Sequence, residues 1–248
     1  IAAARDRVFV IQEIRVGAKG LVPDFDLDAF DSATILRTIN GQLQPTITIR
    51  PGEVQRWRLI QAGVGEFTPI QLDGHTFQQI AFDGLSFPKP REVSNVLLAN
   101  GNRADVLIKG GAPGVYSLRK LSYNQGLGPT PEAILATVVV QGKQMDMPFP
   151  TELPTAGQLP FVQDAELTGS RQPVSDVQLN NGQLQFLIDG TEFDMDKVNQ
   201  TVKLGSVEEW TVLNNSGGQH PFHIHVNPFQ VTKINGQPVI NLKHLATL

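Results

Sequence analysis

Apolar residues fall in short runs along this chain, with turn residues between them. Val8 to Val16 alternates apolar and polar positions after Val10, and Thr46 to Arg50 alternates throughout. A period of two puts alternate side chains on one face of an extended strand. Val54–Ile60, Val96–Ala99, Val106–Ile108, Val115–Leu118 and Ile134–Val140 are rich in the Val, Ile and Leu that fill buried strands. Pro51-Gly52 and Asn100-Gly101 punctuate them. Many short strands separated by turn signals predict an all-β sandwich or barrel. Ala29–Leu36 and Phe193–Asn199 are weak helix candidates, and no longer amphipathic helix is expected.

The pattern also repeats. Pro51-Gly52-Glu53-Val54-Gln55-Arg56-Trp57 returns as Leu204-Gly205-Ser206-Val207-Glu208-Glu209-Trp210, so the two tryptophans stand 153 residues apart. Ile39-Asn40-Gly41 matches Ile188-Asp189-Gly190 upstream. Downstream, an offset of 152 pairs Phe77-Gln78 with Phe229-Gln230 and Gly84 with Gly236. Two copies of one β-domain explain these matches. The expected division is a first domain over 1–142, a Pro-rich linker over 143–172 and a second copy over 173–248. Proline lacks a ladder donor, which favours an extended connection there.

Composition narrows the function classes. The net charge of −4 gives no electrostatic case for nucleic acid or an anionic membrane. No apolar stretch approaches the ~20 residues of a membrane helix. The absence of cysteine excludes disulfides, thiolate ligands and thiol nucleophiles from this chain. Ile1 opens the sequence with no signal-peptide pattern behind it, so the residues themselves give no localisation.

Three of the five histidines crowd into His220-Pro221-Phe222-His223-Ile224-His225. Neutral imidazole is the commonest protein ligand for transition metals and suits copper, zinc, iron and nickel alike. On a strand, His223 and His225 share a face with Cα atoms roughly 6.6 Å apart, and His220 faces the other way. That parity suggests two metal centres served by one strand. In the first copy the same positions hold Thr68, Gln71 and Asp73, so the fold does not need imidazole there. A lone His-x-His pair is more often an ordinary strand pair than a ligand pair. It also opens the metal motif of cupin barrels, but the expected carboxylate is replaced by Phe229 and Gln230. A zinc hydrolase lacks its nearby carboxylate base. His75 lies outside the three-histidine register, His244 lies in the tail, and both are read as structural.

The string His220 to Val231 resembles the third-domain copper motif of multicopper oxidases, most closely the laccase-like three-domain enzymes. Gly205–Val212 resembles the strand that precedes that motif. Arg7–Ile14, Arg50–Leu59, Asp73–Phe77 and Asn102–Leu107 resemble the family's metal-free second domain. The resemblance implies tandem cupredoxin-like Greek-key domains, the second incomplete. It implies that His220 ligates the type 1 copper, His223 the type 2 copper and His225 one of the type 3 pair. It further implies one-electron oxidation of a phenolic, aromatic or metal-ion donor, coupled to four-electron reduction of dioxygen to water. The absence of a Met-rich insertion argues against a specialised cuprous-ion oxidase.

The family uses ten histidines and a cysteine for four coppers, and three of those histidines match here. The chain is therefore expected to be an internal piece: domain two and the front of domain three. Companion polypeptide would supply domain one and the rest of domain three. Periplasmic or extracellular residence follows from the resemblance alone. The rival expectations are a non-catalytic tandem cupredoxin scaffold and a mononuclear non-copper metalloprotein.

Overall fold

The computed structural model describes residues 3–23, 33–126, 128–154, 161–181, 183–226 and 228–245. The first-copy strands are β1 (Arg5–Val16), β2 (Thr34–Ile39), β3 (Gln42–Leu43), β4 (Thr46–Ile49), β5 (Val54–Gln61), β6 (Thr68–Leu72) and β7 (Phe77–Phe82). They continue through β8 (Leu85–Val93), β9 (Val96–Leu98), β10 (Arg103–Lys109), β11 (Gly114–Lys120), β12 (Tyr123–Asn124), β13 (Pro129–Thr130) and β14 (Ala133–Val140). Next come β15 (Gly169–Arg171), β16 (Val174–Asn180), β17 (Gln183–Ile188), β18 (Thr191–Glu192), β19 (Glu208–Trp210) and β20 (Leu213–Asn214). The last hairpin is β21 (Phe229–Ile234) and β22 (Gln237–Leu245). The expectation of an all-β chain is met.

The chain divides into two compact units. One holds residues 1–124, 129–159 and 221–248; the other holds residues 125–128 and 160–220. The first unit contains a seven-stranded sheet, in order β3-β2-β1-β5-β10-β7-β8, and a five-stranded sheet, in order β4-β14-β11-β6-β9. Their inner faces meet in one core that includes Phe9, Trp57, Leu59, Ile70, Leu72, Leu118 and Val138. Alternation along β5 explains the sorting: Gln55, Trp57, Leu59 and Gln61 are buried, while Arg56, Arg58 and Ile60 are not. Trp57 packs edge-on against Phe9, with ring centroids 5.1 Å apart.

Residues 145–153 of the Pro-rich stretch lie against the outer face of the seven-stranded sheet. Leu153 joins Val54, Ile80 and Leu107 in a second apolar cluster, flanked by Phe87, Met147 and Phe149. The Met145 amide donates to the carbonyl of Pro51 at 2.8 Å.

In the second unit, β15 pairs with β19, and β18-β17-β16-β20 form a four-stranded sheet. Among its described residues Leu187 is the buried apolar side chain, while Phe186, Ile188, Phe193 and Leu204 are exposed. Neither helix candidate forms a described helix. Thr34–Leu36 runs in β2 where Ile39 and Thr38 need ladder partners, and residues 29–32 lie outside the described residues. Phe193–Asn199 is a turn and extended loop, closed by the Lys197 amide on the Asp194 carbonyl at 3.1 Å.

The repeat extends to individual hydrogen bonds. Asn40 and Gly41 both have positive φ, as do Asp189 and Gly190. Such pairs suit a two-residue hairpin turn of the primed type. Asn40 Oδ1 accepts the Val10 amide, and Asp189 Oδ1 accepts the Val174 amide, each at 2.8 Å. The parallel register also recurs, with Arg7 opposite Trp57 and Arg171 opposite Trp210.

Candidate metal centre

Side chains alternate along the histidine run. Phe222 and Ile224 are half-buried, while His223 and His225 are exposed. Phe222 packs edge-on against Phe229 at 5.8 Å, which ties the run to β21. The rings of His223 and His225 meet with centroids 4.7 Å apart and planes at 82°. The structure thus brings these two together on one side of the backbone.

The run is not a continuous strand. Only His223 makes a β-bridge among residues 220–226. The first-copy equivalent, β6, is flanked on both sides by β9 and β11. No described strand occupies the corresponding places in the second copy, and an extended segment without ladder partners does not register as a strand.

His220 closes the second unit, and its imidazole is exposed. Its Nε2 lies 2.8 Å from Ser216 Oγ. His75 is a structural residue. Its Nδ1 lies 2.7 Å from the Asp73 carbonyl, and its Nε2 accepts the Gly111 amide at 3.1 Å. The Asp73 carbonyl only accepts, so Nδ1 carries the proton and both nitrogens are engaged. The backbone of His244 pairs with Gln230 in the last hairpin.

In the first copy, side-chain hydrogen bonds engage two of the three corresponding positions. Thr68 Oγ1 accepts Gln61 Nε2 at 2.6 Å, and Asp73 binds Arg119 Nε at 2.9 and 3.0 Å. Thr68 lines a small pocket with Gln61, Glu66, Arg37 and Lys120. Arg37 grips Glu66 with bonds of 2.6 and 3.0 Å, and Lys120 Nζ stands 3.5 Å from the same carboxylate. Burial favours the neutral acid at Glu66, but the Arg37 bonds and the Lys120 charge outweigh it and hold the carboxyl below its usual range. Burial also pushes the Lys120 ammonium down, against the pull of Glu66.

Multicopper oxidase family models match residues 24–144 and 165–245. The chain belongs to the multicopper oxidase family. It is 27% identical to a laccase of Bacillus stratosphericus, over 82% of this chain and 40% of that protein. It is 28% identical to multicopper oxidase LPR1 homolog 5 of Oryza sativa subsp. japonica, over 80% of this chain and 34% of that protein. It is 29% identical to the cell division protein FtsP of Photorhabdus laumondii, over 92% of this chain and 48% of that protein. The chain spans between a third and a half of these relatives' lengths. The fold is shared with a multicopper oxidase of Campylobacter jejuni described as a metallo-oxidase, with a TM-score of 0.80 and 22% identity over 98% of this chain and 55% of that one.

The donors of this multicopper oxidase chain suit copper in kind. Imidazole nitrogens match the metal, and the thiolate of a His2Cys type 1 site is not among the chain's own residues. Among the described residues, no group of three or more His, Cys, Asp or Glu side chains forms a metal cluster. Sequence reasoning passed over Ser216, whose hydroxyl contacts the His220 ring, and Asn214, which bonds to Ser216. Their signal lay in the repeat: at the same offset the first copy has Ala62 and Val64, both apolar.

Proposed function

We propose that this chain is part of a laccase-like multicopper oxidase. His220 serves the type 1 copper, His223 the type 2 copper and His225 one of the type 3 pair. Bound copper would supply one-electron acceptance from a phenolic, aromatic or metal-ion donor and delivery of four electrons, with four protons, to dioxygen, yielding two waters. The chain's own part is to present imidazoles in fixed directions. The observation that carries this reading is the alternation of half-buried Phe222 and Ile224 with the paired, exposed imidazoles of His223 and His225. On a short extended run, that alternation separates two metal-facing residues from two anchoring ones.

In this reading residues 1–142 are the metal-free cupredoxin domain, 143–172 the connection, and 173–248 the front of the copper domain. A companion segment supplies the remaining ligands, and the isolated chain does not turn over. Residence is periplasmic or extracellular. Copper count, electron paramagnetic resonance and oxidation of a phenolic dye, measured on the complete protein, test the assignment. His220→Ala is expected to abolish the type 1 signal. His223→Ala and His225→Ala are expected to deplete the cluster coppers, and each variant is expected to lose dye oxidation. Undiminished copper and activity in all three variants would refute it.

A second reading is a non-catalytic scaffold, favoured by the match to FtsP over 92% of the chain. It predicts no copper and no turnover in the complete wild-type protein.

A further inference from the structure

The loop before His220 is a closed hydrogen-bond circuit. Asn214 Oδ1 accepts the Ser216 amide at 3.0 Å, and Asn214 Nδ2 donates to the Gly218 carbonyl at 2.7 Å. These two bonds settle which end of the amide is oxygen. Ser216 Oγ then lies 2.7 Å from Asn214 Oδ1 and 3.0 Å from the Gly218 carbonyl. Both are acceptors, so the single hydroxyl proton is used on them. The Gly218 amide donates to the same hydroxyl oxygen at 3.4 Å. What remains for the 2.8 Å contact with His220 Nε2 is an acceptor lone pair. The hydroxyl must accept, and Nε2 must carry the proton. The neutral ring therefore offers Nδ1, and only Nδ1, to a metal.

We infer that Asn214 and Ser216 are positioning residues, which select the Nε2–H tautomer of His220 and aim its Nδ1 lone pair at the metal. The proposal rests on His220 being a copper ligand. Metal-bound imidazoles characteristically donate their other N–H to an outer partner, which sets the tautomer, orients the ring and raises its basicity. The repeat supplies an independent argument. At the offset of 152, the first copy replaces Asn214, Ser216, Gly218 and His220 with Ala62, Val64, Glu66 and Thr68. There Val64 is exposed, and the Thr68 hydroxyl bonds to Gln61 instead. The circuit occurs in the copy that has the histidine and is missing from the copy that lacks it.

The test uses the complete protein carrying Ser216→Ala, Ser216→Thr, Asn214→Ala or His220→Ala. Nitrogen-15 NMR of the copper-free form reads the His220 tautomer. Copper titration and the type 1 reduction potential read the loaded form. Ser216→Ala is expected to give mixed tautomers, about tenfold weaker binding of one copper and a higher potential, because a less basic imidazole favours the cuprous state. Ser216→Thr keeps the hydroxyl and restores all three. Asn214→Ala leaves the hydroxyl less directed and gives the same changes in smaller measure. Wild-type tautomer and affinity in both Ser216→Ala and Asn214→Ala, alongside copper loss in His220→Ala, would overturn the positioning role and leave the ligand assignment standing. Full copper in His220→Ala would overturn the assignment and the positioning role together.

Discussion

Gln55 and Glu208 occupy one place in the two copies and do one job with different charge. Gln55 Oε1 accepts Arg7 Nε at 2.8 Å and Trp57 Nε1 at 3.1 Å. Glu208 Oε2 accepts Arg171 Nε at 2.5 Å and Trp210 Nε1 at 3.0 Å. Gln55 is fully buried and its amide donates to Glu53 Oε1 at 2.9 Å. A neutral amide fits there because the adjacent carboxylate is already buried. Burial works against the Glu53 charge, but the Gln55 amide, the Arg50 backbone amide and the Arg50 guanidinium together hold its pKa below the usual range. A folded-state pKa below the unfolded value gives stability that is present above about pH 4.3 and is lost as pH falls through the folded pKa. Gln55→Glu would remove one of those donors and set two carboxylates in contact. It is expected to destabilise the first unit at pH 7 by less than the roughly 3–5 kcal/mol of an uncompensated buried charge, because Arg7 and Trp57 still donate to the new carboxylate. The deficit should shrink as pH falls toward 4, because the folded variant then binds the proton that relieves the repulsion. Urea unfolding of variant and parent at both pH values measures this, and an equal deficit at both would contradict it. At Glu208 the Arg171 bond holds the carboxyl low in a more open setting, so charge is tolerated there.

The same economy of parts appears in the turns. Arg50-Pro51-Gly52-Glu53 closes with the Glu53 amide on the Arg50 carbonyl at 3.1 Å, and the Ser206 amide reaches Lys203 at 3.0 Å in the matching turn. Gly52 and Gly205 take positive φ of 73° and 80°, as a type II turn requires at its third residue. Their surroundings differ. A Cβ on Gly52 would lie 1.9 Å from the Met145 carbonyl oxygen, whereas one on Gly205 would meet nothing within 4 Å. Gly205→Ala should therefore cost only the backbone strain, about 1–2 kcal/mol. Gly52→Ala should cost at least twice that, because the backbone around Met145 must move as well. Thermal melts of the two variants make the comparison, and equal losses would show that Met145 yields freely. These turns also mark what the sequence could convey. Pro51-Gly52 and Asn40-Gly41 announce themselves, because their conformations are local. The return of Met145 and Met147 onto the outer face of β5 did not, since composition describes a Pro-rich stretch without saying what it covers. His223 and His225 kept their predicted common side, but the run lost its strand, because parity is local and a ladder needs neighbours. The Asn214–Ser216 circuit was hidden for a third reason: small polar residues in a loop carry a signal only when set beside Ala62 and Val64.

At the scale of the whole chain, the repeat makes the uneven burial interpretable. Ile39 is 2% exposed and its counterpart Ile188 is 54% exposed. Trp57 is fully buried, while Trp210 is half-buried. In the first copy, the five-stranded sheet β4-β14-β11-β6-β9 packs on this face. The second copy keeps apolar residues at Phe186, Ile188 and Leu204 with no such sheet over them among the described residues. Exposed apolar side chains on a strand invite association or aggregation, and the proposed companion segment would cover them. Amide exchange should then distinguish the copies in the isolated chain. Residues 54–61 should exchange at the rate of global opening, and residues 174–188 should exchange far faster, because few buried contacts resist their local opening. Adding the companion should slow the second set and leave the first unchanged, and should also suppress binding of a hydrophobic dye. Equal protection of both copies in the isolated chain would mean that the second copy needs no cover, and the companion would then be required only for its ligands.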